Sequence, residues 1–246
     1  MRTSNIFGYS VPLLITALLA ACGGGGGSGT AAAVNVDPQG YWTGTSAAGY
    51  SVNTAVLDNG EVWGIYSSGP TIYGALYGTS SVSGSNIAVT GTDFNFVSNT
   101  STPGTLTGPV VAKSTMTLSN ASGSLPLKYQ ATYDTAATAA AIAGTWSFVG
   151  RSGSYTLIPA TVNVSASGNF SLVQPTCTST GTIAPRAGGK NIYTINITTA
   201  GTACATGQSS LAGVLTVDTT VTPNKFLALA LTPNKADGLI VIGTKQ

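Results

Sequence analysis

Seven carboxylates and no histidine are all that this 246-residue chain offers to acid–base chemistry. A general base working near pH 7 is most often a histidine, because its ordinary pKa lies there. Glu61 is the one glutamate, and it stands with Asp58 across the Asn59-Gly60 turn. Two carboxylates so placed read as solvated turn residues, not as an acid/base pair flanking a scissile bond. Asp93, Asp134, Asp218 and Asp237 are isolated, without the alternating oxygen ligands of a calcium loop. Neither a Gly-x-Ser-x-Gly elbow with a downstream histidine nor a Ser-x-x-Lys pair is present. The glycine run at 23–29 lacks a strand-to-helix setting and a Gly-Lys-Ser, so it is no phosphate cradle. The chain is therefore expected not to be an enzyme, to use no cofactor and to hold no metal. Its nine basic residues are scattered and the net charge is only +2, which leaves no electrostatic footprint for nucleic acid.

The elements that must position any binding residues are strands. Charged residues are 7% of the chain and Thr with Ser make up about a quarter, so hydroxyls take the place of charges as wetting groups. Threonine, Val, Ile and Tyr favour a half-buried pleated surface. Short runs of alternating apolar and polar residues recur between Gly, Asn, Pro and Ser. Val162 to Leu172 reads as two strands around Ser167-Gly168, and Val56 to Trp63 as a hairpin around Asn59-Gly60, where both turn residues tolerate positive φ. Further strands are expected near 41–46, 50–57, 72–77, 86–90, 115–118 and 126–133 in the first half. Those of the second half fall near 144–149, 178–183, 191–198, 211–217, 225–231 and 238–242. The alanine-rich stretch from Thr135 to Ala143 is the one helical-looking segment.

That stretch divides two similar halves. Gly40-Tyr41-Trp42 returns 104 positions on as Gly144-Thr145-Trp146, Gly49-Tyr50 as Gly153-Ser154-Tyr155, the Gly60 hairpin as the Gly168 hairpin, and Asn86-Ile87 as Asn191-Ile192. Self-similarity at one period argues for duplication. The expected fold is all-β: two tandem antiparallel up-and-down barrels of about eight strands, folding as separate bodies, with one fused sheet or sandwich as the alternative. A transmembrane porin needs strands of about 9–11 residues with an apolar outer band. The runs read shorter than that, with Thr and Ser on their outward positions.

The first thirty residues carry an address. Arg2 precedes an apolar run from Val11 to Ala21 that is shorter than the roughly 20 residues a membrane helix needs. Its end, Leu19-Ala20-Ala21-Cys22, resembles the lipobox of bacterial lipoproteins. That resemblance implies a signal peptide at 1–21 and acylation of Cys22. It also implies a tether at 22–39 and, with Gly23 after the cysteine, lipid anchoring in the outer membrane. A domain organisation follows, with one barrel at 40–134, a linker at 135–143 and a second barrel at 144–246. With Cys22 acylated, Cys177 and Cys204 remain in an oxidising compartment, where a disulfide closing their loop would stabilise the fold by about 3–4 kcal/mol. Two free buried thiols are the alternative.

Gly40-x-Trp42 and Gly144-x-Trp146 resemble the Gly-x-Trp that opens the first strand of lipocalin barrels, which implies a tryptophan plugging each barrel floor. Ser152-Gly153-Ser154-Tyr155 is similar to the Ser-Gly-x-x-Tyr loop of membrane-bound lysozyme inhibitors, with the tyrosine one residue early. As a whole the chain resembles the two-repeat β-barrel lipoproteins of Gram-negative bacteria. The function expected is a non-catalytic binding or adhesion module whose partner is an envelope protein or a glycan. An inhibitor of an envelope-attacking enzyme such as lysozyme is the alternative.

A partner-binding patch is expected in the aromatic-rich first half. Trp63 and Ile65 share one strand face and, as the bulkier apolar pair, are assigned inward, which turns Tyr66 outward. With Ile72 and Leu76 inward, Tyr73 and Tyr77 join Tyr66 on the outer surface. The opposite parity would set the tyrosines inside the barrel.

Overall fold

The computed structural model describes residues 34–246, apart from 70, 154, 157, 158 and 208. The expected signal peptide, Cys22 and the five glycines at 23–27 lie outside the described residues. In the first half eight strands run as a meander. They are β1 (Gly40–Thr45), β2 (Ser51–Val56), β3 (Glu61–Ser68), β4 (Thr71–Ser83), β5 (Asn86–Asn95), β6 (Thr100–Val111), β7 (Thr115–Asn120) and β8 (Gly123–Tyr129). Each pairs antiparallel with the next, and β1 closes on β8 with Trp42 opposite Tyr129 and Gly44 opposite Leu127. A 3-10 turn (Ala131–Asp134) and a short helix α1 (Ala139–Ile142) lead into the second half.

There the strands are β9 (Gly144–Ser152), β10 (Tyr155–Thr156), β11 (Ala160–Val164), β12 (Asn169–Gln174), β13 (Cys177–Pro185), β14 (Tyr193–Gly201), β15 (Ser209–Asp218), β16 (Lys225–Leu231) and β17 (Gly238–Lys245). β9 pairs with both β11 and β17, so eight strands close a second barrel and β10 is a two-residue flap on β9. Two tandem eight-stranded barrels are thus the fold.

The duplication is visible in the turns. Gly60 and Gly168 have φ of 82° and 81°. Each N–H donates to the carbonyl three residues back, on Leu57 or Ser165, and each carbonyl accepts from the next strand but one, at Ser80 or Ile183. This is a type I turn ended by a left-handed glycine, and only the glycine takes positive φ. Asn59 does not, contrary to the two-residue hairpin expected at Asn59-Gly60.

Both barrel floors carry a fully buried tryptophan. Trp42 Nε1 donates to Pro38 O at 3.1 Å and Trp146 Nε1 to Ile142 O at 2.7 Å, the same four-residue reach back. A Cβ on Gly40 would stand 2.7 Å from Trp42 Nε1 and from the Tyr129 ring, so glycine is what lets the indole cross the floor there. The segment 135–143 does more than link. Ile142 is buried in the second core, and its carbonyl anchors the Trp146 indole.

The barrels are not independent. Each has its own interior core, around Trp42 in the first and Trp146 in the second. A third buried cluster joins their outer walls, with Leu57, Trp63, Ile65, Ile72 and Phe94 from the first barrel against Val214, Leu229, Leu231 and Ile240 from the second. The two barrels therefore share a buried seam, and the described residues form one compact unit. Arg151 reinforces the seam by donating to the carbonyls of Ile72 and Phe96 at 3.1 and 3.2 Å.

Asp134 supplies an electrostatic clamp. It accepts from Lys190 at 2.6 Å and Lys113 at 3.1 Å. The Lys190 ammonium first, and then Lys113, hold its carboxyl at about 2, below the usual 3.8. A carboxylate depressed in this way stabilises the fold above its unfolded pKa, and that contribution is lost as pH falls through the folded one. The stability gap between the natural chain and Asp134→Asn is expected to be present at pH 7 and to close between about pH 4 and pH 2. Urea melts across that window test it, and a gap indifferent to pH would count against the clamp. With Lys113 mostly exposed, the effect should be modest and sensitive to salt.

Several strands exceed the expected length: β4 has 13 residues and β6 has 12. Strand length therefore does not distinguish these barrels from a porin. The outward positions do carry hydroxyls, as at Thr79 and Ser81 of β4 and Thr90 and Thr92 of β5.

Candidate functional site

In each barrel the tryptophan closes one end, and a cavity reaches toward the other. The second barrel's cavity is the larger, about 670 Å3, within the range of small-molecule sites. Strand alternation builds it. Val162 and Val164 on β11, Phe170 and Leu172 on β12, and Ile195 and Ile197 on β14 all turn to the inside. Two inward rings lie over bare backbone. A Cβ on Gly181 would stand 2.5 Å from the Phe170 ring, and one on Gly243 would stand 2.0 Å from that of Phe226. Among the described residues no charged side chain lines this cavity. Its polar groups are one amide, Gln174, and hydroxyls that include Ser179, Thr176, Thr199 and Thr206.

The mouth of this cavity is formed by the β12–β13 turn and the loop between β14 and β15. Cys177 and Cys204 are joined by a disulfide, as expected from the sequence, and the bridge ties these two segments together at the rim. Thr199 completes the tie, donating to Gly207 O at 2.7 Å and accepting from Ser209 N at 3.1 Å. The bridge thus stabilises the rim as well as the chain.

The first barrel holds a smaller cavity of about 380 Å3, and it contains one of the expected tyrosines. Trp63 and Ile65 do share a face, but it is the outer one, buried under the second barrel. Val62, Gly64 and Tyr66 face inward, so Tyr66 lines the interior. Its hydroxyl donates to Asp93 Oδ1 at 2.8 Å. Burial and that carboxylate both push the Tyr66 hydroxyl well above its ordinary pKa.

Tyr73 and Tyr77 do not join it. The register between β3 and β4 slips between Tyr66 and Ser67, so that Tyr66 opposes Gly74 while Ser67 opposes Ile72. Tyr73 is the bulged residue, and such a bulge re-aims side chains. Ile72 consequently packs in the inter-barrel seam while Leu76, four residues on, points into the barrel. Tyr73 rests on Tyr50 with ring centroids 4.8 Å apart. Tyr77 stays on the outer wall against Trp63 at 4.6 Å, beneath Lys235 Nζ at 4.9 Å from its ring. The continuous outer patch of Tyr66, Tyr73 and Tyr77 is therefore corrected: one lines the interior, one stands at a bulge and one lies at the seam.

Asp58 pairs with Arg186 of the second barrel at 2.9 Å, and Glu61 Oε2 accepts from Trp63 Nε1 at 3.2 Å. Both are thus engaged in structural contacts. Ser152, the first residue of the stretch similar to the lysozyme-inhibitor loop, is buried, and Ser154 lies outside the described residues. Among the described residues no cluster of His, Cys, Asp and Glu could hold a metal.

Sequence reasoning set Asp93 aside as isolated and did not single out the second barrel's lining. A signal for each exists. Ile87, Val89, Gly91 and Asp93 alternate along β5, so a core-facing pattern runs into a carboxylate. The paired apolar positions of β11, β12 and β14 were also legible, but not the empty volume between them. No family model, no curated protein and no solved structure matches this chain.

Proposed function

We propose that this chain is a lipid-anchored, non-catalytic binding module of the bacterial outer membrane, and that its second barrel encloses an apolar ligand such as an acyl chain. The observation that carries this is the uncharged cavity of about 670 Å3 between Trp146 and the disulfide-tied rim. Well-packed interiors hold few voids larger than a water molecule, so a volume of this size lined by aliphatic and aromatic groups is suited to an apolar guest. Burying such a guest gains roughly 25 cal/mol per Å2 of apolar surface removed from water. The few polar groups sit where a headgroup would meet solvent. The lipobox-like end at Cys22 supports the anchoring, and a tether of five glycines, Gly23–Gly27, allows the barrels to stand off a bilayer.

Titration with a fluorescent fatty acid, parinaric acid, should show saturable binding to the natural chain. Ser179→Phe, which fills the cavity, should weaken it at least tenfold while leaving the β-sheet circular dichroism unchanged. An absence of saturable binding, or equal binding by the variant, would overturn the assignment of this cavity. For the anchor, Cys22→Ala should move the protein from the membrane to the soluble fraction, and continued membrane fractionation would defeat it.

A further inference from the structure

We propose that the first barrel carries a second, chemically different site, which takes a small organic ammonium ion bearing an apolar tail. Among the described residues that line the cavity of about 380 Å3, the carboxylate of Asp93 is the one charged group. By strand parity Asp93 shares the inner face of β5 with Val89 and Gly91, opposite Leu76 on β4. One oxygen accepts from the Tyr66 hydroxyl at 2.8 Å. None of the ion pairs among the described residues involves it, those carboxylates being Asp58 and Asp134.

A partly desolvated carboxylate without a cation is costly in a barrel interior. Burial accordingly raises the Asp93 pKa, and the Tyr66 hydrogen bond lowers it only in part. An ammonium group entering the cavity would supply the missing charge. It would also meet aromatic faces, because Tyr50 and Tyr66 both line the cavity with ring centroids 5.7 Å apart. Such rings attract cations through their quadrupoles.

Below this polar level the lining turns apolar, with Val89, Leu106 and Leu118 toward the tryptophan floor. An apolar tail fits there, and a small inorganic cation would leave that part empty. The backbone is arranged for the polar level. A Cβ on Gly74 would stand 2.1 Å from the Tyr66 hydroxyl, so glycine at that position is what allows Tyr66 to reach Asp93. Among the described residues the second cavity has no counterpart of the carboxylate, so the two cavities select different chemistries.

Calorimetric titration of the full-length Ser179→Phe chain, in which the second cavity is filled, with hexylammonium, hexanol and hexanoate tests this site apart from the other. Hexylammonium should bind at least tenfold more tightly than hexanol, and hexanoate should not bind there. Asp93→Asn, with its fold checked by circular dichroism and thermal midpoint, should lose that preference. Equal binding of the amine and the alcohol, or an unchanged preference in the variant, would overturn the proposal. If Asp93→Asn fails to fold, Leu106→Trp serves instead, because it fills the apolar part and leaves the carboxylate. It should reduce hexylammonium binding at least tenfold, and undiminished binding would overturn the site.

Discussion

Residues 144–246 expressed alone are expected to aggregate or to unfold without a cooperative transition, although they contain every strand of a closed barrel. Ile192, Val214, Leu229, Leu231 and Ile240 are each less than 9% exposed in the whole chain, and they pack in the cluster shared with the first barrel. Removing the first barrel uncovers them together. At about 1.5–3 kcal/mol per large apolar side chain, the shared seam is comparable to the roughly 5–15 kcal/mol by which a whole domain is stable. An exposed apolar patch of this kind also invites association. Sedimentation and thermal melting of the fragment measure the effect. A monomeric fragment with a sharp melt close to that of the full chain would show that the seam contributes little. A finer version keeps the chain whole: Val214→Asp puts a carboxylate in the seam opposite Thr194 and Leu229, neither of which can neutralise it, and it should destabilise both halves together.

The second large effect is expected at the barrel floors. Trp146→Ala should cost about 3–5 kcal/mol, the range for deleting a fully buried large aromatic side chain. Three contacts are lost at once. They are the hydrogen bond to Ile142 O at 2.7 Å, the edge-to-face contact with Phe226 at 5.1 Å, and the cover given by Lys245 Nζ at 5.4 Å from the ring. For a chain of this length, each kcal/mol lowers the thermal midpoint by roughly 2–4 °C, so a drop of about 6–20 °C is expected. Trp146→Phe keeps most of the packing but leaves Ile142 O without its donor, so it should fall between the two. Trp42→Ala should behave like Trp146→Ala, because Trp42 is as buried and donates to Pro38 O in the same way. A change below about 1 kcal/mol at either position would show that the indole is not the floor.

Much of this architecture was legible in the chain itself. The hairpin glycines, the paired Gly-x-Trp motifs and most strands stand in local patterns of period two, and local patterns survive folding because neighbouring side chains must alternate between faces. Of the strands that close the barrels, the one that escaped notice, β6, contains Pro103, Gly104, Gly108 and Pro109, residues that signal turns when read locally. Its pairing along the whole of β5 overrides that signal. The disulfide was anticipated from the number of cysteines and the expectation of an oxidising compartment, and the structure holds it. The two halves were also recognisable, since duplication is a property of sequence.

What the chain alone could not decide was which face is inside. Alternation places Trp63 and Ile65 together on one face and Tyr66 on the other, but it does not say which face meets the core. Bulk suggested that Trp63 and Ile65 point inward. They are buried on the outside instead, because a second barrel covers that wall, and a neighbour more than a hundred residues away leaves no trace in a strand of eight. The slip between Tyr66 and Ser67 then breaks the parity that would have carried Tyr73 and Tyr77 with Tyr66. The tertiary structure alone decided that Asp93 faces a cavity rather than solvent, and that the second barrel keeps an uncharged volume above its tryptophan. The physical reason is that parity is a local property, whereas inside and outside are set by closure of the barrels and by their contact with each other.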